Sequence, residues 1–162
     1  MADTKEIIAA GQMRGVVHCL TIPLNNETAL LPNSAIAEVI GFKAPIPIDD
    51  APEWFLGYID WRDKKVPLIS FESISGKELT TAKKNSRICV LNTLNGSHQI
   101  PYVGILSQGI PSLAIIQEHG LKDKESIDGR SAVGAVVEAG GTEAIIPNID
   151  EIEQRLMKLH LL

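Results

Sequence analysis

Ala51-Pro-Glu-Trp-Phe-Leu-Gly-Tyr-Ile-Asp-Trp-Arg-Asp-Lys-Lys-Val-Pro-Leu-Ile-Ser-Phe71 is the stretch on which the reading of this chain turns. It predicts a turn, a strand over Leu56–Trp61, a tip at Arg62–Lys65 that includes two lysines, and a return strand over Val66–Phe71. Both tryptophans, Trp54 and Trp61, fall inside it, although only 4% of the chain is aromatic. Large aromatics anchor a hairpin to its core, and together with arginine they are over-represented at the centres of protein interfaces. The hairpin therefore carries two expectations: Trp54, Phe55 and Trp61 hold it down, and Arg62 at the tip meets a partner.

The same grammar of short strands and turns extends outward. Val16–Pro23 is apolar and β-branched, Asn25-Asn26 supplies turn chemistry, and Ala29–Leu31 resumes the apolar run. Pro32-Asn33-Ser34 opens a helical turn carrying Ile36, Ala37 and Val39, with Ser34 as its cap. Pro45 and Pro47 restrict their segment to a sheet edge or an extended loop. Ser75–Ser86 is polar and poor in apolar residues, a connection between two halves. Beyond it, Ile88–Leu94 and Gln99–Leu106 flank the hairpin signal Asn95-Gly96, Ile110–Ile116 forms another strand, and Gly129–Val137 and Glu143–Ile146 flank a glycine hairpin. The period then changes. Ile149, Ile152, Leu156 and Leu159 line one face of a helix, with Asn148 and Glu151 in capping-box relation and Lys158 and His160 near the carboxyl end. The expectation is a mainly β fold, a pair of small barrels with one C-terminal helix.

Composition narrows the function. At 162 residues the chain has room for one domain or two small barrels sharing a core. A net charge of −5 argues against a nucleic-acid backbone as partner, and the short cluster Lys77, Lys83, Lys84 and Arg87 reads as a solvated loop. Met1–Gly15 lacks the apolar run of a signal peptide, and no stretch reaches the length of an apolar transmembrane helix, so a cytoplasmic location is expected. Cys19 and Cys89 lie in apolar runs without CxxC spacing and read as reduced core residues. The histidines, His18, His98, His119 and His160, form no metal-ligand spacing, and no phosphate loop, dinucleotide fingerprint or nucleophile elbow is present. Asp49-Asp50 and Asp60/Asp63 read as turn formers rather than an acid–base pair. No catalysis, metal or cofactor is expected.

The hairpin and its surroundings resemble the CheW-like domain of bacterial chemosensory systems. Ala51-Pro52-Glu53-Trp54-Phe55-Leu56-Gly57, then Ile59–Asp63 and Val66-Pro67-Leu68-Ile69, are similar to that family's Pro-containing turn, glycine, hairpin tip and Val-Pro-Ile/Leu strand. Leu31–Ile40 resembles its short helical turn ending in Glu-Val-Ile, Tyr102–Leu113 its Val-Gly-Ile strand, and Glu143–Asn148 its last strand. The order is preserved over nearly the whole chain.

The resemblance implies two packed five-stranded SH3-like β-barrel subdomains, about 16–76 and 86–148, in a single domain 16–148, with a lead-in at 1–15 and the helix at 149–162. It implies a non-enzymatic adaptor coupling the cytoplasmic tip of a chemoreceptor (a methyl-accepting chemotaxis protein) to the regulatory domain of a CheA-type histidine kinase at membrane receptor arrays. The positions matching the family's receptor-facing groove are Ile36, Glu38, Arg62, Gly104, Ile110 and Leu113.

Three departures mark a divergent member. Asp63 stands where the family has a tip glycine, Gln108-Gly109 where it has Asp-Gly, and Ser70-Phe71 where it has Asp-Leu. Members serving type IV pilus systems and twitching motility diverge in this way. Two other readings share the sequence: a regulatory paralogue competing with the main adaptor, and a small-molecule-binding barrel with Trp54, Tyr58 and Trp61 lining a pocket.

Overall fold

The computed structural model describes residues 12–13, 15–93, 99–117, 121–124, 132–139 and 141–159. Expectations for Asn95-Gly96, for His98, His119 and His160 and for residues 1–11 of the lead-in fall outside them, while Gln12–Met13 of the expected loose lead-in forms a strand paired with Val16–Val17. Among the described residues, twelve strands and two α-helices follow in the order β1 (Gln12–Met13), β2 (Val16–Pro23), β3 (Thr28–Pro32), β4 (Ile36–Gly41), β5 (Phe55–Trp61), β6 (Lys64–Ile69), α1 (Phe71–Ile74), β7 (Arg87–Asn92), β8 (Tyr102–Ser107), β9 (Ser112–Gln117), β10 (Leu121–Lys124), β11 (Val133–Ala139), β12 (Thr142–Pro147) and α2 (Ile149–Lys158).

The strands form two sheets. The order β4-β7-β8-β6-β5 makes a five-stranded sheet, and β1-β2-β3-β12-β11-β10 with β9 on β2 makes a seven-stranded one. The expected mainly β architecture with a terminal helix is what the chain adopts. The expected division at Ser75–Ser86 is not how the sheets divide. The five-stranded sheet is one continuous segment, 36–107, and the larger sheet takes strands from both sides of it. A parallel pair, β3 with β12 at Ala29 and Ile145, joins the two ends of the chain.

Three apolar clusters explain this interleaving. Ile59, Trp61, Val66, Leu68, Ile88, Val90 and Leu106 fill the hollow of the five-stranded sheet. Val17, Cys19, Leu30, Ala135, Val137, Ala144 and Ile146 fill that of the larger one. The largest cluster lies between the sheets, where Ile22, Leu31, Ile69, Phe71, Cys89, Leu91, Ile105, Ile152 and Leu156 meet. Several strands therefore bury both faces, which is why Ile88-Cys89-Val90-Leu91, all 0% exposed, reads as an unbroken apolar run.

In the hairpin, Phe55 faces Ile69 while Gly57 faces Leu68, so β5 spends an extra residue against β6. That bulge moves the chain from one face to the other. Phe55 enters the cluster between the sheets, whereas Ile59 and Trp61 enter the hollow of the five-stranded sheet. Gly57 has φ +132°, and a Cβ there would lie 2.3 Å from the Ile46 carbonyl oxygen. Ile46 bridges Tyr58 at this point, its N–H donating to the Tyr58 carbonyl at 2.8 Å, which fits the edge position expected from its flanking prolines.

Local details differ from expectation for identifiable reasons. The helical turn after Pro32 is a single 3-10 turn, Asn33–Ala35, without a side-chain cap, and Ile36 already begins β4. Ladder bonds to β7 and the β-branched Ile36, Val39 and Ile40 favour extension there. The hairpin tip is Arg62-Asp63 alone, with φ of 48° and 61°, as a two-residue primed turn requires. Lys64 and Lys65 begin β6. Phe71 belongs to α1, not to the strand, because Ser70 Oγ accepts from the Ser73 N–H at 3.2 Å and caps a helical turn. The helix α2 is capped as expected, Asn148 Oδ1 accepting from Glu151 N–H at 3.1 Å. The reciprocal half of a capping box is replaced: the Asn148 N–H donates to the Ala132 carbonyl, and Glu151 pairs with Arg155.

Replacing Gly57 by alanine combines a strained φ with a backbone clash and is expected to destabilise the fold by about 2–4 kcal/mol, read from urea unfolding. Burial pushes the Cys89 thiol from 9.0 up to about 12 and that of Cys19 up to about 11. Both folded values lie above the unfolded one, so this contribution to stability is intact below about pH 9 and is lost as pH rises toward 12. Native protein at pH 8 is expected to leave both thiols unmodified by a thiol reagent that titrates two per chain in denaturant.

Candidate partner-binding surface

The five-stranded sheet begins at β4 and ends at β5, and side chains join these two edges. The indole N–H of Trp61 on β5 donates to Glu38 Oε1 on β4 at 2.7 Å. Lys43, just past β4, donates from Nζ to the Asp60 carbonyl at 2.6 Å. Trp61 is buried and meets Tyr102 edge-on at 4.8 Å between ring centroids. A buried indole N–H needs an acceptor, and a carboxylate is a strong one.

Arg62 completes the arrangement. Its Cζ lies 4.6 Å from the centroid of the Trp61 ring, and its Nη2 lies 3.4 Å from the same Glu38 oxygen. The Arg62 and Glu38 side chains are 65% and 42% exposed, so their ion pair is worth at most about 1 kcal/mol. Its effect is geometric. The guanidinium is held over the indole by stacking, at the rim of a seam whose buried part is Trp61. Beside it, Lys65 pairs with Asp60 at 2.9 Å.

Of the six positions carried by the sequence, Glu38 and Arg62 are in direct contact. Ile36 is half-buried on β4 and packs against the cluster between the sheets. Ile110 and Leu113 stand open to solvent, 59% and 73% exposed. Gly104 lies elsewhere. It is inside β8 between Val90 of β7 and Leu68 of β6, and a Cβ there would sit 3.2 Å from both Ile88 and Leu68 side chains. A side chain there would require small shifts of both neighbours, so burial inside the sheet accounts for a glycine at this position. Ile115, 70% exposed, is not among the six; the signal for it is the two-residue step from Leu113 within one strand.

A family model for the CheW-like domain matches residues 18–156. The chain belongs to the CheW-like domain family. It is accordingly a non-enzymatic scaffold domain. Among solved structures, the scaffolding protein TtCheW from Thermoanaerobacter tengcongensis is similar to it with a TM-score of 0.70 at 21% identity, covering 82% of this chain and 88% of that one. That likeness shows the fold. A search of curated protein sequences finds no match.

Within this CheW-like domain, the departures from the family pattern acquire physical content. Asp63 adopts the left-handed conformation expected of the tip. Gln108 turns inward: its Nε2 donates to Thr80 Oγ1 at 2.9 Å, and that hydroxyl donates to Glu72 Oε2 at 3.2 Å. Glu72 is 1% exposed and also accepts from the Asn25 N–H at 3.0 Å. An amide at 108 thus supplies a donor to a chain that ends on a buried carboxyl. The proposed ligand pocket is not formed by its three aromatics, since Trp54 and Tyr58 pack on the cluster between the sheets while Trp61 fills the hollow of the five-stranded one. No helix among the described residues is long and apolar enough to cross a membrane.

The seam predicts an order of effects. Trp61→Phe removes a charge-assisted hydrogen bond between strand edges and is expected to cost about 1–2 kcal/mol. Arg62→Ala removes only exposed contacts and is expected to cost less than about 1 kcal/mol. Thermal unfolding of both variants tests this, and equal losses would show that the indole N–H is not a structural tie.

Proposed function

We propose that this CheW-like chain is a cytoplasmic adaptor coupling the tip of a chemoreceptor to the regulatory domain of a CheA-type histidine kinase at membrane receptor arrays. The observation that carries the reading is the exposed Arg62, stacked on Trp61 and braced by Glu38. A pre-oriented guanidinium keeps most of its N–H donors for a partner and loses little freedom on binding. Ile110 and Leu113 add exposed branched apolar surface of the kind that accepts an amphipathic helix. Gly104 is left out of this reading because it is buried, and Ile36 enters only through its half-exposed side. Family membership supports a scaffold role, and the choice of receptor and kinase as partners rests on the resemblance of the motifs.

Co-purification with a receptor cytoplasmic fragment and a kinase regulatory domain tests the proposal. Wild type is expected to hold both. Arg62→Glu is expected to lose receptor binding by tenfold or more while keeping its fold, since an exposed charge reversal costs little stability. Wild-type protein that binds neither partner would refute the adaptor reading, and undiminished receptor binding by Arg62→Glu would remove Arg62 from the interface.

A further inference from the structure

We propose that the hydrogen-bonded chain Glu72–Thr80–Gln108 holds the corner between β8 and β9 and so sets how Ile110 is offered to a partner; this rests on the reading that puts Ile110 in the receptor surface. Residues 108–111 lie outside both strands, so no ladder fixes them. They carry the chain from the five-stranded sheet to the larger one, and Ile110 among them is 59% exposed.

What fixes the corner is a closed ring of hydrogen bonds. The Gln108 N–H donates to the Pro23 carbonyl at 2.8 Å, and its Nε2 donates to Thr80 Oγ1 at 2.9 Å. Thr80 donates to Glu72 Oε2 at 3.2 Å, and the same oxygen accepts the Asn25 N–H at 3.0 Å. Pro23 ends β2 and Asn25 lies just beyond it, so the ring returns to its start. Two further bonds brace it: Ser107 Oγ donates to the Pro23 carbonyl at 3.3 Å, and Lys77 pairs with Glu27 at 2.8 Å. The turn after β2, α1, the 75–86 connection and the corner are thereby tied together.

The residue types give this ring a direction. A threonine hydroxyl has one proton to donate. Thr80 gives its proton to Glu72, so the group at 108 must be a donor. The site is already rich in acceptors, because Glu72 Oε1 and Gln108 Oε1 are both buried with no donor among the described residues. Aspartate, which the family pattern has at 108, would bring no proton and would add a second negative charge beside a carboxyl that is 1% exposed. Gln108 and Thr80 are therefore a matched pair, and the departure at 108 changes how the corner is held. A contact side chain held by a bonded second layer loses less freedom when a partner arrives.

Hydrogen-exchange mass spectrometry of the full chain reads the corner directly. Thr80→Val and Gln108→Asp are expected to speed exchange in peptides spanning 107–111 by about tenfold or more, with β7 unchanged, while Thr80→Ser keeps the wild-type rate. Affinity for a receptor cytoplasmic fragment is expected to fall about tenfold in the first two variants and to be retained in Thr80→Ser. Action through Ile110 requires that losses not add, so Ile110→Ala combined with Thr80→Val is expected to bind no more weakly than Ile110→Ala alone. Unchanged exchange at the corner overturns the proposal, as does a rise shared equally by β7, which marks general loosening. Faster corner exchange with full receptor affinity overturns it too, and so do additive losses with Ile110→Ala. A wild type that binds no receptor removes both readings, whereas one that loses affinity with Arg62→Glu but not with Thr80→Val removes this one alone.

Discussion

Both sheets turn one apolar face toward the cluster that contains Phe71, Ile105 and Ile152, and this shared burial is the constraint under which the rest of the structure forms. Each sheet already has a second cluster in its own hollow, but neither can cover its other face alone. The segment 36–107 supplies the whole five-stranded sheet, and the strands on either side of it close the larger one through the parallel pairing of β3 and β12. The helices α1 and α2 add Phe71, Ile74, Ile149, Ile152 and Leu156 to the same cluster. Loss of a buried side chain here would be felt by both sheets at once, because their contacts meet in one close-packed volume.

The exposed chemistry depends on that arrangement through the bulge at β5. In an unbulged strand Phe55, Ile59 and Trp61, each two or four residues apart, would all point to one face. With the bulge, Phe55 secures the hairpin to the cluster between the sheets, and Trp61 is left to close the five-stranded sheet through Glu38. Arg62 then inherits a flat, buried aromatic base and a carboxylate at one side. Its orientation is a by-product of sheet closure, and a rigid scaffold holding one arginine at the surface suits a domain whose work is recognition rather than chemistry. Leu113 and Ile115 on β9 are the complementary case, apolar side chains left open to solvent.

Much of this is legible in the residues. Strand β2 coincides with the predicted Val16–Pro23, and the helix period gives α2 with its Asn148 cap. These are local properties, set by side-chain period and turn stereochemistry within a few neighbours. The errors share one cause. Pro32-Asn33-Ser34 suggests helical character for the residues that follow, but pairing of Ile36–Gly41 with β7, some fifty residues away, outweighs that weak local preference. Gly104 matches a groove motif, and its burial between Val90 and Leu68 is a tertiary fact that the motif does not carry. The Glu72–Thr80–Gln108 chain joins residues from three separate segments, and no local pattern announces it.

The sequence by itself determined the alternation of short strands and turns, the terminal helix, the family and the importance of the Trp61–Arg62 hairpin, because these rest on local stereochemistry and on an ordered series of motifs. The tertiary structure alone decided which strands share a sheet, that the division between sheets ignores the polar connection at 75–86, and that Arg62 is braced by Glu38 on Trp61. It also decided which apolar side chains stay outside, with Ile105 buried and Ile115 open on strands of similar composition. The physical reason is that burial and pairing are settled by long-range packing, which a linear pattern of apolar residues constrains but does not select.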